Sequence, residues 1–170
     1  MNFKQVQKFA KRANYNRQIG IFVGYIILKG ISPQKYKEFK NNNELDENGC
    51  CAIPIYDEEE LKLITSIIII GKKYWEQYKN DELIIKETIL HEIGHTKTIK
   101  KDINRFENMN SMGKWEMDSQ IWAIKRANNM GLIKIKRKLI SDFMEWKNYP
   151  EPYNIAYKLY KKMNHENKNF

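Results

Sequence analysis

The sequence DELIIKETILHEIGHTK, residues 81–97, has the pattern of one long amphipathic helix. It opens with two acidic residues and ends on a basic one, which suits the dipole of a helix. Ile89 and Ile93 each lie about 200° around the helix from His91, so the apolar row faces away from the histidine. We therefore predict a helix that buries one side in a core and presents the other side to a cleft.

The pentapeptide His91-Glu92-Ile93-Gly94-His95 lies within this helix. A rotation of about 400° separates the two histidines, so both rings lie on one face. Glu92 lies about 100° from His91, too far round to join the pair as a ligand but near enough to reach a water on a metal ion. We predict His91 and His95 as zinc ligands and Glu92 as a general base, which indicates a metal-dependent hydrolase. The alternative, two ordinary exposed histidines, is weakened because the chain has only three.

A catalytic zinc ion needs three protein ligands and an open position, so a third donor should follow downstream. Four carboxylates compete for this role. Asp102 and Glu107 lie in Lys100 to Gly113, a polar stretch without clear periodicity that we predict to be a loop. Glu116 and Asp118 lie further on, where the pattern becomes helical, and a helix holds a ligand better than a loop does.

The helix predicted for Glu116 and Asp118 runs from Lys114 to Met130, with Gly131 as its C-cap. The face of Glu116 carries small or neutral residues that would let two helices approach closely. These residues are Gln120, Ala123 and Ala127. The neighbours of Asp118 are larger or charged: Lys114, Trp122, Lys125 and Asn129. We predict Glu116 as the third zinc ligand and keep Asp118 as the alternative.

The pentapeptide followed by WEMDSQIWA, residues 115–123, resembles the gluzincin metallopeptidases. In those enzymes a later helix supplies a glutamate ligand, an acidic residue commonly follows four positions on and orients a ligand histidine, and an alanine often follows three positions after that. Gln120 and Ala123 occupy these two positions. Gln120 replaces the usual acid, so we expect a weaker metal site, because an amide accepts from an imidazole N–H but supplies no negative charge. The resemblance covers residues 62 to 127.

The resemblance implies peptide-bond hydrolysis through a zinc-activated water, with Glu92 taking the proton and passing it to the departing amine. A second oxyanion donor would come from the C-terminal region, and the sequence leaves four candidates open. They are Tyr149, Tyr153, Tyr157 and His165. The alternative function is a zincin-like zinc-binding regulatory module without peptidase turnover, which would be unaffected by Glu92→Gln.

Gly94 lies inside the predicted helix, where glycine costs about 1 kcal/mol relative to alanine. We expect that the missing side chain lets the Glu116 helix or a loop at the metal site approach. The alternative is an interior glycine that is merely tolerated.

Three short apolar runs, each partly β-branched, predict buried strands of a small mixed sheet. They are Ile19 to Leu28, Ala52 to Tyr56 and Ile64 to Ile70. Helices should flank the sheet at residues 3–14 and 33–40, at the two site helices, and in one or two basic helices from Lys134 onward. The fold class is therefore α+β, a compact zincin-like domain spanning residues 1–170. In compact zincins a sheet edge holds the substrate, and Ile64 to Ile70 is the candidate edge, with a buried central strand as the alternative.

The composition suits one domain, since 170 residues with 42% hydrophobic content are enough to bury a core. Met1 to Gln18 is polar and basic, unlike a secretory signal, and Ile19 to Leu28 is too short to cross a bilayer. We therefore expect a cytoplasmic protein with no membrane partner. The adjacent Cys50 and Cys51 suit a reducing compartment, because neighbouring cysteines make a poor disulfide; we predict small buried residues rather than metal ligands.

The net charge of +9 raises the question of nucleic-acid binding. A local basic cluster is formed by Lys134, Lys136, Arg137 and Lys138. No nucleic-acid-binding signature accompanies it, and a basic run usually marks a solvated helix face. We therefore expect a peptide or protein substrate, and a nucleic-acid-associated protein is the third hypothesis. The oligomeric state does not follow from the sequence.

Overall fold

A computed structural model describes residues 1–14, 20–25, 48–56, 63–98 and 108–166. Within these residues the chain forms a small sheet and six α-helices, so the α+β class is confirmed. The elements, in chain order, are α1 (Phe3–Ala13), β1 (Gly20–Tyr25), β2 (Cys50–Tyr56), β3 (Leu63–Ile70), α2 (Lys72–Tyr78), α3 (Glu82–Thr98), α4 (Met109–Asn129), α5 (Ile133–Glu145), a 3-10 turn (Trp146–Asn148) and α6 (Tyr153–Glu166). The helix predicted at residues 33–40 and the carboxylates of Asp102 and Glu107 lie outside the described residues.

The sheet has the strand order β1-β3-β2, with β1 parallel and β2 antiparallel to β3. The prediction that Ile64 to Ile70 forms a sheet edge is therefore wrong, because β3 is the central strand. Its residues Ile68 to Ile70 are at most 2% exposed. A run of isoleucines suits a strand that is buried on both faces, and β1 and β2 are the outer strands of the sheet within the described residues.

The register of β2 decides which of its peptide groups face the outer edge of the sheet. Gly71 N–H donates to Gly49 C=O at 2.8 Å, so this antiparallel pair exchanges ladder hydrogen bonds. Because bonded and non-bonded pairs alternate, the N–H and C=O of Cys50 and Ala52 point away from β3. Pro54 belongs to the same outward set, so its missing N–H removes no bond from the ladder.

Helix α3 matches the predicted helix closely. Asp81 caps it, since its Oδ1 accepts from the N–H groups of Leu83 and Ile84 at 3.0 and 3.1 Å. Ile85, Ile89 and Ile93 are at most 1% exposed and lie in the core with Ile68 of β3, among others. The apolar row therefore faces the sheet, as the sequence predicts.

Helix α4 begins at Met109, five residues before the predicted start at Lys114. The prediction that Lys100 to Gly113 is entirely a loop is thus wrong for its last five residues. Asn108 supplies the missed start signal, because its side chain accepts from Ser111 N–H at 2.9 Å. The end of the helix was predicted correctly, since Gly131 follows it with a φ of 69°, the left-handed conformation that glycine favours.

Helix α4 packs against α3, and α5 and α6 pack on α4 in turn, with the 3-10 turn lying against α5 and α6. Ala123 and Ala127 of α4 are fully buried in the main core. A second, smaller core is formed by Met117, Phe143, Trp146 and Ala156. In the part of the chain that is described, no helix is both long and apolar enough to cross a membrane.

Candidate metal centre

The two site helices bring three side chains to one point. His91 and His95 project from α3, and Glu116 projects from the facing side of α4. The Nε2 atoms of the two histidines are 2.9 Å apart, and Glu116 Oε2 lies 3.1 Å from His91 Nε2 and 3.4 Å from His95 Nε2. All three side chains are at most 13% exposed. The structure therefore brings together the three residues that the sequence predicts as ligands.

The donor atoms suit a small tetrahedral cation. Zinc binds imidazole nitrogen and carboxylate oxygen at about 2.0–2.2 Å, which places tetrahedral ligand atoms about 3.3 Å from one another. The triangle formed by His91, His95 and Glu116 has edges close to this length. Glu92 lies beside it, because one potential ligand atom each from His91, Glu92 and His95 fall within 4.8 Å of one another. These residues could hold a metal ion.

Gln120 orients the ring of His91. Its Nε2 donates to the carbonyl of Leu139 at 2.9 Å, which fixes the amide so that Oε1 faces His91 Nδ1 at 2.7 Å. An amide oxygen can only accept, so His91 Nδ1 must carry the hydrogen. The lone pair of the neutral ring then lies on Nε2, facing Glu116. Gln120 is 1% exposed, and this role matches the position at which the resemblance implies an orienting residue.

The charges and hydrogen bonds around the triangle favour a cation there. Burial by itself would lower the pKa of His91, but the hydrogen bond and charge of Glu116 outweigh burial and raise that pKa to about 9. Burial would raise the pKa of Glu116, but the neighbouring charge of His95 and the hydrogen bonds from both imidazoles hold it well below its usual range. Positive charge is therefore favoured at the centre of the triangle.

Glu92 has a different environment from Glu116. It is 6% exposed, and burial is the main reason why its pKa is raised, with the histidine charges acting against this. Ala52 of the β2 edge donates its backbone N–H to the Glu92 side chain. The structure thus holds Glu92 between the edge strand and the histidine pair.

Two tryptophans enclose the imidazoles. The ring of Trp115 lies 4.2 Å from that of His95, centroid to centroid, and Trp115 Nε1 donates to the carbonyl of His95 at 3.2 Å. The ring of Trp146 meets that of His91 edge-on at 5.8 Å. These contacts restrict the orientation of both rings and separate them from bulk water.

The close approach that Gly94 was expected to allow is confirmed. A Cβ atom built on Gly94 would overlap the carbonyl oxygen of Ser119 on α4. Ser119 is also a residue that the sequence reasoning missed, because its Oγ lies 2.9 Å from His95 Nδ1. Its spacing of three residues from Glu116 places it on the same helix face, which is the signal that could have identified it.

Asp118, the alternative third ligand, lies away from the triangle. Its Oδ2 pairs with Lys114 Nζ at 2.8 Å on the surface of α4, and its side chain is 30% exposed. The helix rotation that brings Glu116 and Gln120 to the histidines therefore turns Asp118 outward.

Among the candidates for an oxyanion donor whose side chains the structure describes, Tyr153 has contacts that connect it to the site. Its ring is 5.0 Å from Trp146, and its pKa is raised well above the usual value by burial and then by the charges of Glu116 and Glu92. Tyr149 is 47% exposed and packs on Tyr153. The ring of Tyr157 is overlaid by Lys161, and the side chain of His165 lies outside the described residues.

The remaining sequence features lie elsewhere on the described surface. Lys136 and Lys138 of the basic cluster bond with Asn128 and Asp142, whereas Lys134 and Arg137 are exposed. Cys50 and Cys51 are half-buried at the start of β2, and burial raises the pKa of the Cys50 thiol. A high thiol pKa makes Cys50 a poor nucleophile.

Comparisons of the chain with protein-family models, with curated proteins and with solved structures each find no match. Within the described residues, the structure supports the coarser statement that His91, Glu92 and His95 could hold a metal ion.

Proposed function

We propose that this protein is a zinc metallopeptidase of the gluzincin type. The proposed zinc ligands are His91, His95 and Glu116, and Glu92 is the proposed general base. The observation that carries the proposal is the triangle of two Nε2 atoms and one carboxylate oxygen, with edges of 2.9, 3.1 and 3.4 Å. Two imidazoles and one carboxylate are the ligand set of many zinc peptidases, and they leave a fourth position open.

A bound zinc ion would supply Lewis acidity, which lowers the pKa of a coordinated water and polarises a substrate carbonyl. Glu116 adds one negative charge to the site, and Gln120 adds none. The trio of ligands would therefore leave net positive charge at the site, which would favour the negative charge that develops on a substrate carbonyl.

Glu92 would move the proton. Its carboxylate takes a hydrogen from the attacking water as the C–O bond forms, and then gives it to the amine nitrogen as the C–N bond breaks. Burial raises the pKa of Glu92 above that of an ordinary glutamate, which makes its carboxylate a stronger base. The N–H of Ala52 holds the carboxylate in position beside the histidines.

Tyr153 is the proposed second donor to the oxyanion. Its raised pKa keeps the phenol protonated at neutral pH, so the hydroxyl can donate a hydrogen bond. The charges of Glu116 and Glu92 that contribute to this shift also support a position near the reacting groups.

The outer edge of β2 is the proposed docking site for a substrate peptide. Cys50 directs its N–H and C=O to this edge, and Ala52 directs its C=O there while its N–H is bonded to Glu92. An extended peptide pairing here would run past the general base, as strand addition requires. Pro54 supplies no N–H at the next outward position, so pairing of the substrate carbonyls would end before it.

Cleavage of an internally quenched peptide library tests the proposal. Zinc-loaded wild type should cleave members of the library, and Glu92→Gln should keep its zinc but lose activity by about 10²–10⁴-fold. Glu145→Gln changes an exposed glutamate in the same chemical way and should remain active. Equal activity of wild type and Glu92→Gln would refute the role of Glu92. Stable zinc binding without any cleavage would favour the alternative of a regulatory module.

A further inference from the structure

Ser119 is fully buried on α4, and in the sequence it lies between Glu116 and Gln120. Its Oγ makes three polar contacts. It donates to the carbonyl of Trp115 at 2.7 Å, lies 2.9 Å from His95 Nδ1, and lies 3.0 Å from the Oγ1 of Thr98. The hydroxyl on α4 thus contacts both His95 and Thr98 near the end of α3.

The single hydroxyl hydrogen of Ser119 decides how it interacts with His95. The carbonyl oxygen of Trp115 can only accept, so the bond of 2.7 Å between them uses that hydrogen. Ser119 Oγ must then be an acceptor toward the imidazole. His95 Nδ1 therefore carries a hydrogen, and the lone pair of the neutral ring lies on Nε2, which faces His91 and Glu116.

We propose that Ser119 is the positioning residue for His95, holding the ring in the tautomer and orientation that binds metal. The proposal rests on the zinc site proposed above and does not depend on peptide hydrolysis. The two ligand histidines would then be held alike. Gln120 accepts from His91 Nδ1–H, the adjacent Ser119 accepts from His95 Nδ1–H, and neither acceptor is charged.

The packing of the two helices supports this role. Ser119 can reach His95 because its backbone lies directly against Gly94, where a side chain would prevent the approach. Thr98 lies against the same contact, since its Oγ1 is 3.0 Å from Ser119 Oγ and donates its one hydrogen to the carbonyl of Gly94 at 2.9 Å. The serine is thus held by backbone contacts on both helices, which limits its freedom to release the imidazole.

The tautomer of His95 can be read directly by two-bond ¹H–¹⁵N NMR of the metal-free full chain. The chain has only three histidines, so the ring signals can be assigned by substitution. At a pH where the ring is neutral, wild type should show His95 with the hydrogen on Nδ1. Ser119→Ala should shift His95 toward the Nε2–H form and leave His91 unchanged. A His95 that carries its hydrogen on Nε2 in wild type would overturn the proposal without any variant.

Zinc affinity, measured by competition with a chromophoric chelator, gives a second readout. Ser119→Ala should weaken zinc binding by about 10–100-fold, as loss of an orienting partner does. Ser119→Thr keeps the hydroxyl and should recover most of the affinity. Thr98→Val removes the other hydroxyl that lies against Ser119 Oγ, and it should weaken binding far less. Equal losses in Ser119→Ala and Thr98→Val would indicate a packing effect and contradict the proposal.

The two readouts separate this inference from the proposed activity. A protein that binds zinc with His95 in the Nδ1–H form but cleaves no peptide would refute the peptidase and leave the role of Ser119 intact. A protein that cleaves peptides while His95 carries its hydrogen on Nε2 would support the peptidase and refute the role of Ser119.

Discussion

Gly94 on α3 lies directly against the backbone of Ser119 on α4, and a Cβ atom at Gly94 would be only 3.0 Å from Ser119 Cα and C, and closer still to its carbonyl oxygen. This contact sets the distance between the two helices that carry His91, His95 and Glu116. Because the neighbouring atoms are backbone, they cannot move aside as the end of a side chain could.

Gly94→Ala should therefore destabilise the protein, although alanine is the better helix former by about 1 kcal/mol. Overpacking typically costs about 1–3 kcal/mol, and here it also pushes Glu116 away from the histidines. Thermal unfolding and zinc titration should both show a loss. Lys125→Ala, an exposed change to alanine on α4, should leave both unchanged. An unaltered zinc affinity in Gly94→Ala would contradict this account of the helix contact.

Gln120→Glu should make the metal-free protein less stable and its stabilisation by zinc larger. The new carboxylate cannot donate to the Leu139 carbonyl, so that carbonyl loses its side-chain donor and a buried charge is added. Zinc bound beside His91 would offset that charge. The shift in melting temperature on adding zinc measures the effect. Gln77→Glu makes the same change on an exposed surface and should behave as wild type, whereas a smaller zinc shift in Gln120→Glu would show that its charge does not reach the site.

Glu87 lies one turn before His91 on α3. Its titration should make the free energy of unfolding depend on pH. Burial, followed by the charge of Asp142, raises the pKa of Glu87 to about 7. The folded protein therefore holds this proton more tightly than the unfolded chain, whose glutamates titrate near pH 4.3. The resulting stability is fully present below about pH 4.3 and is lost as the pH rises through about 7.

Glu87→Gln removes this titration, so the variant should gain on wild type by about 1–3 kcal/mol in unfolding free energy between pH 5 and pH 8. Urea unfolding at the two pH values gives the difference. The titrations of the site residues contribute to both proteins and largely cancel. Glu151→Gln, at an exposed position, should track wild type at both values. A constant gap between Glu87→Gln and wild type across this range would show that the carboxyl does not titrate there.

Tyr153→Phe should lower kcat by about 10²–10³-fold with little change in KM, because an oxyanion donor acts mainly in the transition state. Zinc content should be unaffected, since the tyrosine is not one of the proposed ligands. Tyr149→Phe provides the matched control on the same aromatic cluster and should retain its kcat. If the two variants had equal kcat values, Tyr153 would not be the donor.

Helix α3 and the triangle formed by His91, His95 and Glu116 could be predicted from sequence, because both depend on spacing along a helix. The rotation between His91 and His95, and between Glu116 and Gln120, is the same in any α-helix. The apolar row at Ile89 and Ile93 needs only the assumption that one side is buried.

Other features depend on contacts between segments that are distant in the sequence, and these features do not follow from spacing along one helix or strand. The run of isoleucines in β3 is equally apolar at an edge and in the centre, so only pairing with β1 and β2 decides its place. Ser119 looked like an ordinary helical serine, because its partner His95 lies on another helix. The start of α4 was missed because the cap at Asn108 lies within a polar stretch that has the composition of a loop.

The zinc content of untagged protein, measured by elemental analysis on wild type, Glu116→Ala and Asp118→Ala, tests the three-ligand site most directly. About one zinc per chain in wild type and in Asp118→Ala, with a clear loss in Glu116→Ala, is the predicted result. Full occupancy in Glu116→Ala, loss in Asp118→Ala, or wild type without zinc even after reconstitution would contradict the account.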